Sequence, residues 1–432
     1  MSTPLWAKGK VELDAAVQRF CAADDVVVDR AIFAYDVTAT TAHVNALQRA
    51  QVLTLQERDL LAGLLSQLAV DWHAGRFVLD DRYEDGHSAI EAFLTERAGE
   101  VGKKVHTARS RNEQVLVAQR LHLKDQLGRL VHVCKEIAAR LLTRARTCTD
   151  IPMPGYTHMQ RAMPISVAMW LAGHAESFLD DAQAALAARS LADASPLGTG
   201  AGFGVSIALD RDGIADELGF SRVLVSPQAA QNSRGKIELF ALQALHLAAL
   251  DVRRFAWDLS LYSMAELAFV TLPNAYTTGS SLMPNKRNPD VVELLRTVPA
   301  VVEGATAELS AILALPSSYH RDLQATKAPV VRAFARALSG LELVPALVDA
   351  IGFDHERMRA AITGDMYATD RALELVQQGV PFRDAYVRAA GEIPTLSSRT
   401  PQQSLAARTS LGGAANLGLD RLEARLVSLA LA

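Results

Sequence analysis

The chain has 432 residues, half of them hydrophobic, and a formal net charge of −4. That length allows two or three domains with a large core. Nothing argues for a basic nucleic-acid-binding surface, and no apolar run is long enough to span a bilayer. The three cysteines, Cys21, Cys134 and Cys148, form no CxxC pair and suit a reducing compartment. Met1 to Lys10 has no signal-peptide hydrophobic core, so a cytoplasmic protein is expected. Aromatic content is only 6%, and alanine and leucine are abundant, a mix suited to long packed helices.

The first hundred residues read as shorter helices with polar breaks. From Thr107 to Cys148 there is no proline and one glycine, Gly128. Leu123, Leu127, Leu130, Cys134, Ile137 and Leu141 are spaced by alternating fours and threes, a helical seam of coiled-coil type. Pro152 and Pro154 end it. A second helix is expected from about Ile165 to Leu191 and a third from about Lys236 to Val270, ending before Pro273. A fourth begins near Asn288 as cap, with Pro289 in its first position, and runs toward Leu315 with a kink at Pro299. A fifth covers about Ala328 to Ile351, and shorter helices follow from Gly352. The reading is all-α, with an N-terminal helical domain over 1–106, a central long-helix bundle over 107–351 and a C-terminal helical domain over 352–432. A helix of over thirty residues is roughly 50 Å long at 1.5 Å per residue. One small domain does not cover that length, so partner helices from other subunits are expected.

Polar islands interrupt this helical text. The first is Asp85-Gly86-His87-Ser88-Ala89-Ile90-Glu91. The second, His106 to Gln114, holds Arg109, Ser110, Arg111 and Asn112 just before the first long helix. It reads either as an anion site at a helix N-terminus or as a capped helix start with solvated arginines. The third, Pro154 to Pro164, is expected to be a loop. It carries His158, a side chain able to move protons near neutral pH, boxed by Gly-Tyr-Thr and Gln-Arg. Ser195 to Gly204 is glycine-rich, but without a strand–helix frame or a P-loop lysine it reads as a structural turn.

The fourth island, Gly279 to Asp290, places two hydroxyls, Lys286 and Asn288 in one segment before a helix signal that includes Asp290 and Glu293. It offers an ammonium to neutralise a carboxylate and a serine for proton work. The fifth, Tyr319 to Lys327, supplies a phenol, an amide and an ammonium through Tyr319, Gln324 and Lys327. Taken alone it reads as a polar connection between helices. Together the islands are rich in cations and amide donors. No HExxH or paired CxxC is present, so no metal centre is expected.

At these residues the chain resembles the fumarase/aspartase superfamily, whose signature is GSSxMPxKxNP, and within it the argininosuccinate lyase family. The blocks at 106–115, 156–164, 279–290 and 319–327 match in order, and the likeness runs from Leu5-Trp6 through Thr369-Asp370 and Gly379 to Arg383. The resemblance implies a homotetramer with each active site shared by three subunits. It implies cofactor-free β-elimination of argininosuccinate to fumarate and arginine, in arginine biosynthesis. Carried onto matching positions, Ser280 and His158 are the two proton-transfer groups, and Glu293 orients His158. Lys286 and Asn288 hold succinyl carboxylates, with Ser110, Arg111, Asn112 and Thr157 contributing. Tyr319, Gln324 and Lys327 bind the substrate, while His87 and Asp85 support the site. Which of Ser280 and His158 is the base stays open, with Ser280 favoured.

Departures from the family pattern are Ala108 for glycine, Glu113 for aspartate, Met159 and Met163 near His158, and Asn285 and Arg287 in the serine loop. Ala22-Ala23-Asp24-Asp25 lacks a serine often found there, and Pro299 falls inside a bundle helix. Two other readings are an adenylosuccinate-type lyase and a non-catalytic, crystallin-like structural protein. The Tyr319–Lys327 and Ser110–Asn112 blocks argue against the first, and the intact Ser280, His158, Lys286 and Glu293 against the second.

Overall fold

The computed structural model describes residues 15–22 and 24–430. Leu5-Trp6 and Ala23, on which parts of the family resemblance fall, lie outside the described residues. The helices that frame the site and its surroundings are α1 (Phe33–Arg49), α2 (Leu55–His73), α3 (Gly86–Ala98), α4 (Arg111–Thr147), α5 (Val167–Ala192), α6 (Lys236–Tyr262), α7 (Asp290–Leu295), α8 (Val298–Ile312), α9 (Lys327–Leu341), α10 (Val344–Ala350), α11 (Ala368–Gln377), α12 (Phe382–Glu392) and α13 (Pro401–Ala406), with further short helices between and after them. The strands are short: β1 (Pro152–Thr157), β2 (Gln160–Ser166), β3 (Val270–Thr271), β4 (Thr278–Gly279), β5 (Arg287–Asn288) and β6 (Gly352–Phe353). They pair antiparallel as β1–β2, β3–β6 and β4–β5. The fold is all-α with these small hairpins and ladders set between helices.

The coiled-coil seam of α4 is buried throughout: Leu123, Leu127, Leu130, Cys134, Ile137 and Leu141 are at most 1% exposed. That apolar stripe, more than intrinsic propensity, is what stabilises a helix of 37 residues. The chain divides into two compact units. One comprises the chain up to Arg129 with Ala185–Leu245 and Val301–Arg336; the other comprises Leu130–Ala184, His246–Ala300 and Ala337–Ala432. In the first, Phe33, Val37, Leu47, Leu61, Leu65, Phe93 and Leu94 close one core between α1, α2 and α3. In the second, α5 meets α6 through Trp170, which stacks on Phe255 at 5.7 Å and donates its indole N–H to Asp258 at 2.8 Å.

Several expected boundaries moved, each for a local reason. The third long helix stops at Tyr262 instead of Val270. Ala268 turns left-handed at φ 47°, and the Phe269 N–H returns to the Tyr262 carbonyl at 2.8 Å. Pro299 does not kink a continuous helix. The chain breaks between α7 and α8, and Pro299 occupies the second position of α8, where its missing N–H costs no helical bond. Asn288 does not cap α7. It lies in β5, Pro289 is the cap, and Asp290 is the first helical residue. The expected fifth helix is two, α9 and α10, with Pro345 in the first turn of α10. The expected loop around His158 is a β-hairpin.

Candidate active site

Two sets of polar islands are built locally. The first set lies in the first unit. Asp85 caps α3 in a reciprocal box with Ser88, so the helix start fixes His87, the second helical residue. His87 is buried, and its Nδ1 lies 2.5 Å from Asp36 Oδ2. Burial opposes its charge, but the Asp36 and Asp85 carboxylates outweigh that and raise its pKa. Burial likewise opposes charge on Asp85, yet His87, Arg111 and the Ser88 N–H hold its carboxyl well below the usual range. Arg111 pairs with Asp85 and, at 3.4 Å, with Glu84.

The second island starts α4 as a cap. Asn112 N–H donates to Ser110 Oγ at 3.2 Å, and Ser110 N–H donates to Glu113 Oε1 at 3.0 Å. Of the arginines beside it, Arg109 is buried and donates to Thr40 Oγ1 at 3.0 Å, while Arg111 is half-buried in its pairs with Asp85 and Glu84. The other oxygen of Glu113 takes the N–H groups of Thr199 at 2.5 Å and Gly200 at 2.9 Å. The glycine-rich turn is therefore a wrapper around a buried carboxylate. Ala108, just upstream, stands at φ 58°, a left-handed position that suits the glycine usual in the family.

Lys327 begins α9 and is only 2% exposed. Its Nζ lies 2.8 Å from Asp25 Oδ1 and 2.5 Å from Asp29 Oδ1. Asp29 also accepts the Gly86 N–H at 2.9 Å, which joins the α3 start to the lysine. Gln324 donates to the Cys21 carbonyl at 2.8 Å, and the Arg234 guanidinium sits 5.7 Å from the centre of the Tyr319 ring. These groups converge on a cleft of about 110 Å³ lined by Asp25, Asp85, His87, Arg111, Asn112, Val115, Arg234, Tyr319, Arg321, Gln324 and Lys327. Of the sequence candidates it thus gathers His87, Arg111, Asn112, Tyr319, Gln324 and Lys327, with Ser110 next in chain. Sequence reasoning missed Asp29, Asp36 and Arg234. The i, i+4 pair Asp25 and Asp29 on one helical turn was the available signal.

The second set lies in the second unit. The β1–β2 hairpin turns at His158 and Met159, with Thr157 paired to Gln160. Both turn residues are left-handed, at φ 54° and 58°. Two-residue hairpin turns of this handedness favour Asn-Gly, so His-Met stores strain where the imidazole is displayed. His158 and Thr157 are exposed. The serine loop is another hairpin: β4 and β5 pair, and residues 280–286 form its loop. Thr278 Oγ1 donates to Asp290, and Arg287 donates to Asn274 and, at 3.0 Å, to Thr277 Oγ1. The loop is thereby tied at its base to α7. Ser280 Oγ accepts two backbone N–H groups, Leu282 at 3.3 Å and Met283 at 3.1 Å. Lys286 is exposed at the far side of the loop, and Asn288 is half-buried. Glu293 pairs with Arg296 at 3.1 Å. Among the described residues no hydrogen bond joins Glu293 to His158.

The first set can hold anions against cations, and the second carries an imidazole and a hydroxyl able to hand on protons. Comparison with known proteins identifies the family. A family model described as a lyase matches residues 11–304. The argininosuccinate lyase of Xanthomonas axonopodis pv. citri (strain 306) is 54% identical over 430 residues, 99% of this chain and 100% of that one. The argininosuccinate lyase of Stenotrophomonas maltophilia (strain R551-3) is 53% identical over 433 residues, again 99% and 100%. Among solved structures, an EDDS lyase in complex with formate superposes with a TM-score of 0.79 at 22% identity, covering 97% of this chain and 91% of that one. The 3-carboxy-cis,cis-muconate lactonizing enzyme from Pseudomonas putida gives 0.71 at 19% identity, with 96% and 98% covered. Those two likenesses show the fold. The chain belongs to the fumarase/aspartase superfamily of lyases and, within that class, to the argininosuccinate lyase family.

Proposed function

We propose that the chain cleaves argininosuccinate to fumarate and arginine in the cytoplasm, as a step of arginine biosynthesis. Identity of 54% over the full length of a relative with that name supports the substrate. In the reaction a base removes a proton from the succinyl carbon next to the one bonded to nitrogen. The carbon–nitrogen bond then breaks, the electron pair leaves with the guanidino nitrogen, and that nitrogen is protonated.

Ser280 is the base in this reading, and the observation that carries it is the pair of N–H groups aimed at its Oγ. Two donors favour an alkoxide over a neutral hydroxyl, as donors in an oxyanion hole do. Lys286, on the same loop, and Asn288 stabilise the second negative charge that builds on the substrate carboxylate. His158 serves the leaving nitrogen as acid, directly or through water, and Glu293 orients it from a neighbouring subunit. Ser110, Arg111, Asn112 and Thr157 hold the succinyl part, and Tyr319, Gln324, Lys327 and His87 hold the remainder.

A homotetramer with sites shared by three subunits completes the reading. It is supported by the length of α4 and by the exposed Phe240, Leu247 and Trp257 on α6. The test is fumarate release from argininosuccinate, followed by ultraviolet absorbance, with adenylosuccinate as control. Ser280→Ala is expected to lower kcat by about a thousandfold or more at unchanged oligomer size. Full activity in that variant removes Ser280 from the chemistry.

A further inference from the structure

The hairpin that displays His158 is irregular along its length. Its strands contain Pro152, Pro154 and Pro164, none of which has an N–H for the ladder. Pro154 and Pro164 face each other at a non-hydrogen-bonded rung: Val167 N–H donates to the Ile151 carbonyl at 2.9 Å, so bonded pairs alternate with open ones and the Pro164 carbonyl points away from β1. The register slips at once beyond it, between Pro154 and Tyr156. Gly155 fills the slip because a Cβ there would stand 2.7 Å from the Met163 carbonyl. Two rungs further the chain must adopt the left-handed pair at His158 and Met159. A strained turn persists only where its surroundings over-determine it.

The partner of that outward carbonyl comes from elsewhere in the same unit. Arg408, just past α13, donates Nη1 to the Pro164 carbonyl. Its other nitrogens are fixed by Asp370 of α11, with Nε at 3.3 Å and Nη2 at 3.2 Å from Oδ1. Nη2 also donates to Ser404 Oγ at 2.8 Å, and the Ser404 hydroxyl donates to the other Asp370 oxygen. Asp370 and Ser404 are buried, at 5% and 0% exposure. One planar guanidinium thus spans a carboxylate and a strand carbonyl, a geometry that an ammonium cannot reproduce.

We propose that Arg408, locked by Asp370 and Ser404, anchors the outward Pro164 carbonyl of β2 and so sets the position of His158, making it a positioning residue for the elimination. This rests on the proton-transfer role given to His158 above. The bridge acts at the sixth residue beyond the imidazole, on the same hairpin and beside the register slip. A small shift there carries to the turn, and displacement of a catalytic group by about 1 Å costs up to roughly a hundredfold in rate.

The test uses the full-length enzyme with Arg408→Lys, which keeps a positive charge opposite Asp370 and loses the span. Backbone hydrogen exchange at Tyr156 and Arg161 is expected to rise, while circular dichroism and KM stay near the parent values. The kcat is expected to fall about tenfold or more, and its pH profile to change on the limb that His158→Gln removes. Should Arg408→Lys fail to fold, Arg408→Met with Asp370→Asn removes both charges together and carries the same expectations. Unchanged exchange and unchanged kcat overturn the inference. Faster exchange with full activity, in a background where His158→Gln is inactive, overturns the positioning role. Full activity in His158→Gln itself overturns the assignment of His158 on which that role rests.

Discussion

Single residues in this chain are constrained most where the backbone departs from its ordinary regions. Ala108 is a direct case. An L-residue at φ 58° is disfavoured by contact of its Cβ with the following carbonyl, and glycine is not. Ala108→Gly is expected to raise stability by about 1 kcal/mol, net of the extra freedom glycine brings to the unfolded chain. Urea denaturation of the two proteins reads this directly, and a lower midpoint for the glycine variant contradicts it. The candidate site shows how far residues could be read from sequence. The cations and the imidazoles were legible because they cluster within short motifs. Their counter-charges were not. Lys327 meets Asp29 across 298 positions, and His87 meets Asp36 across 51, so no local pattern announces either pair.

Elements follow their apolar period where that period is long, and escape it where chemistry at the ends decides. The α4 seam was legible because six seam positions repeat without interruption. The end of α6 was not, because Ala268 turns the chain without the glycine that usually marks such a turn. The β1–β2 hairpin was hidden by its own prolines, which speak against a ladder, and by a turn without Asn-Gly. Helix faces also carry charge that packing does not neutralise. Asp181 of α5 is 2% exposed, and its Oδ2 has no hydrogen-bond partner. Burial, then the nearby Asp251 and Asp180, push its carboxyl up to about 8, against a smaller opposing pull from Arg254. The folded chain therefore keeps a proton that the unfolded chain releases between about pH 4 and pH 8. Stability falls as pH rises through that window. Asp181→Asn is expected to stabilise the protein at pH 8 by on the order of 2 kcal/mol, with the gain vanishing near pH 4. Denaturant midpoints for both proteins at pH 4.5 and pH 8 measure it. A gain that is equal at both pH values assigns the effect to packing instead of protonation.

The whole molecule is best understood as a helical frame that brings small, irregular hairpins to places where reactants are handled. Ser280 and His158 both sit on hairpins, and neither is backed by a complete set of partners within one chain. In the proposed reading, a homotetramer supplies those partners. Sedimentation of the purified protein is expected to give four times the mass of the chain, and a monomer with full lyase activity contradicts the shared-site reading. Mixing two inactive variants, Ser280→Ala and Arg111→Ala, is expected to restore part of the activity if different subunits complete one site. The cysteines lead to a practical end. Cys134 and Cys148 are buried, and burial raises the Cys134 thiol far out of the reactive range. Cys21 is exposed, and its carbonyl is gripped by Arg321 and Gln324 from the cleft wall. A maleimide dye applied to the natural sequence therefore labels one position beside the cleft, and its fluorescence becomes an optical gauge of occupancy that requires no engineered handle.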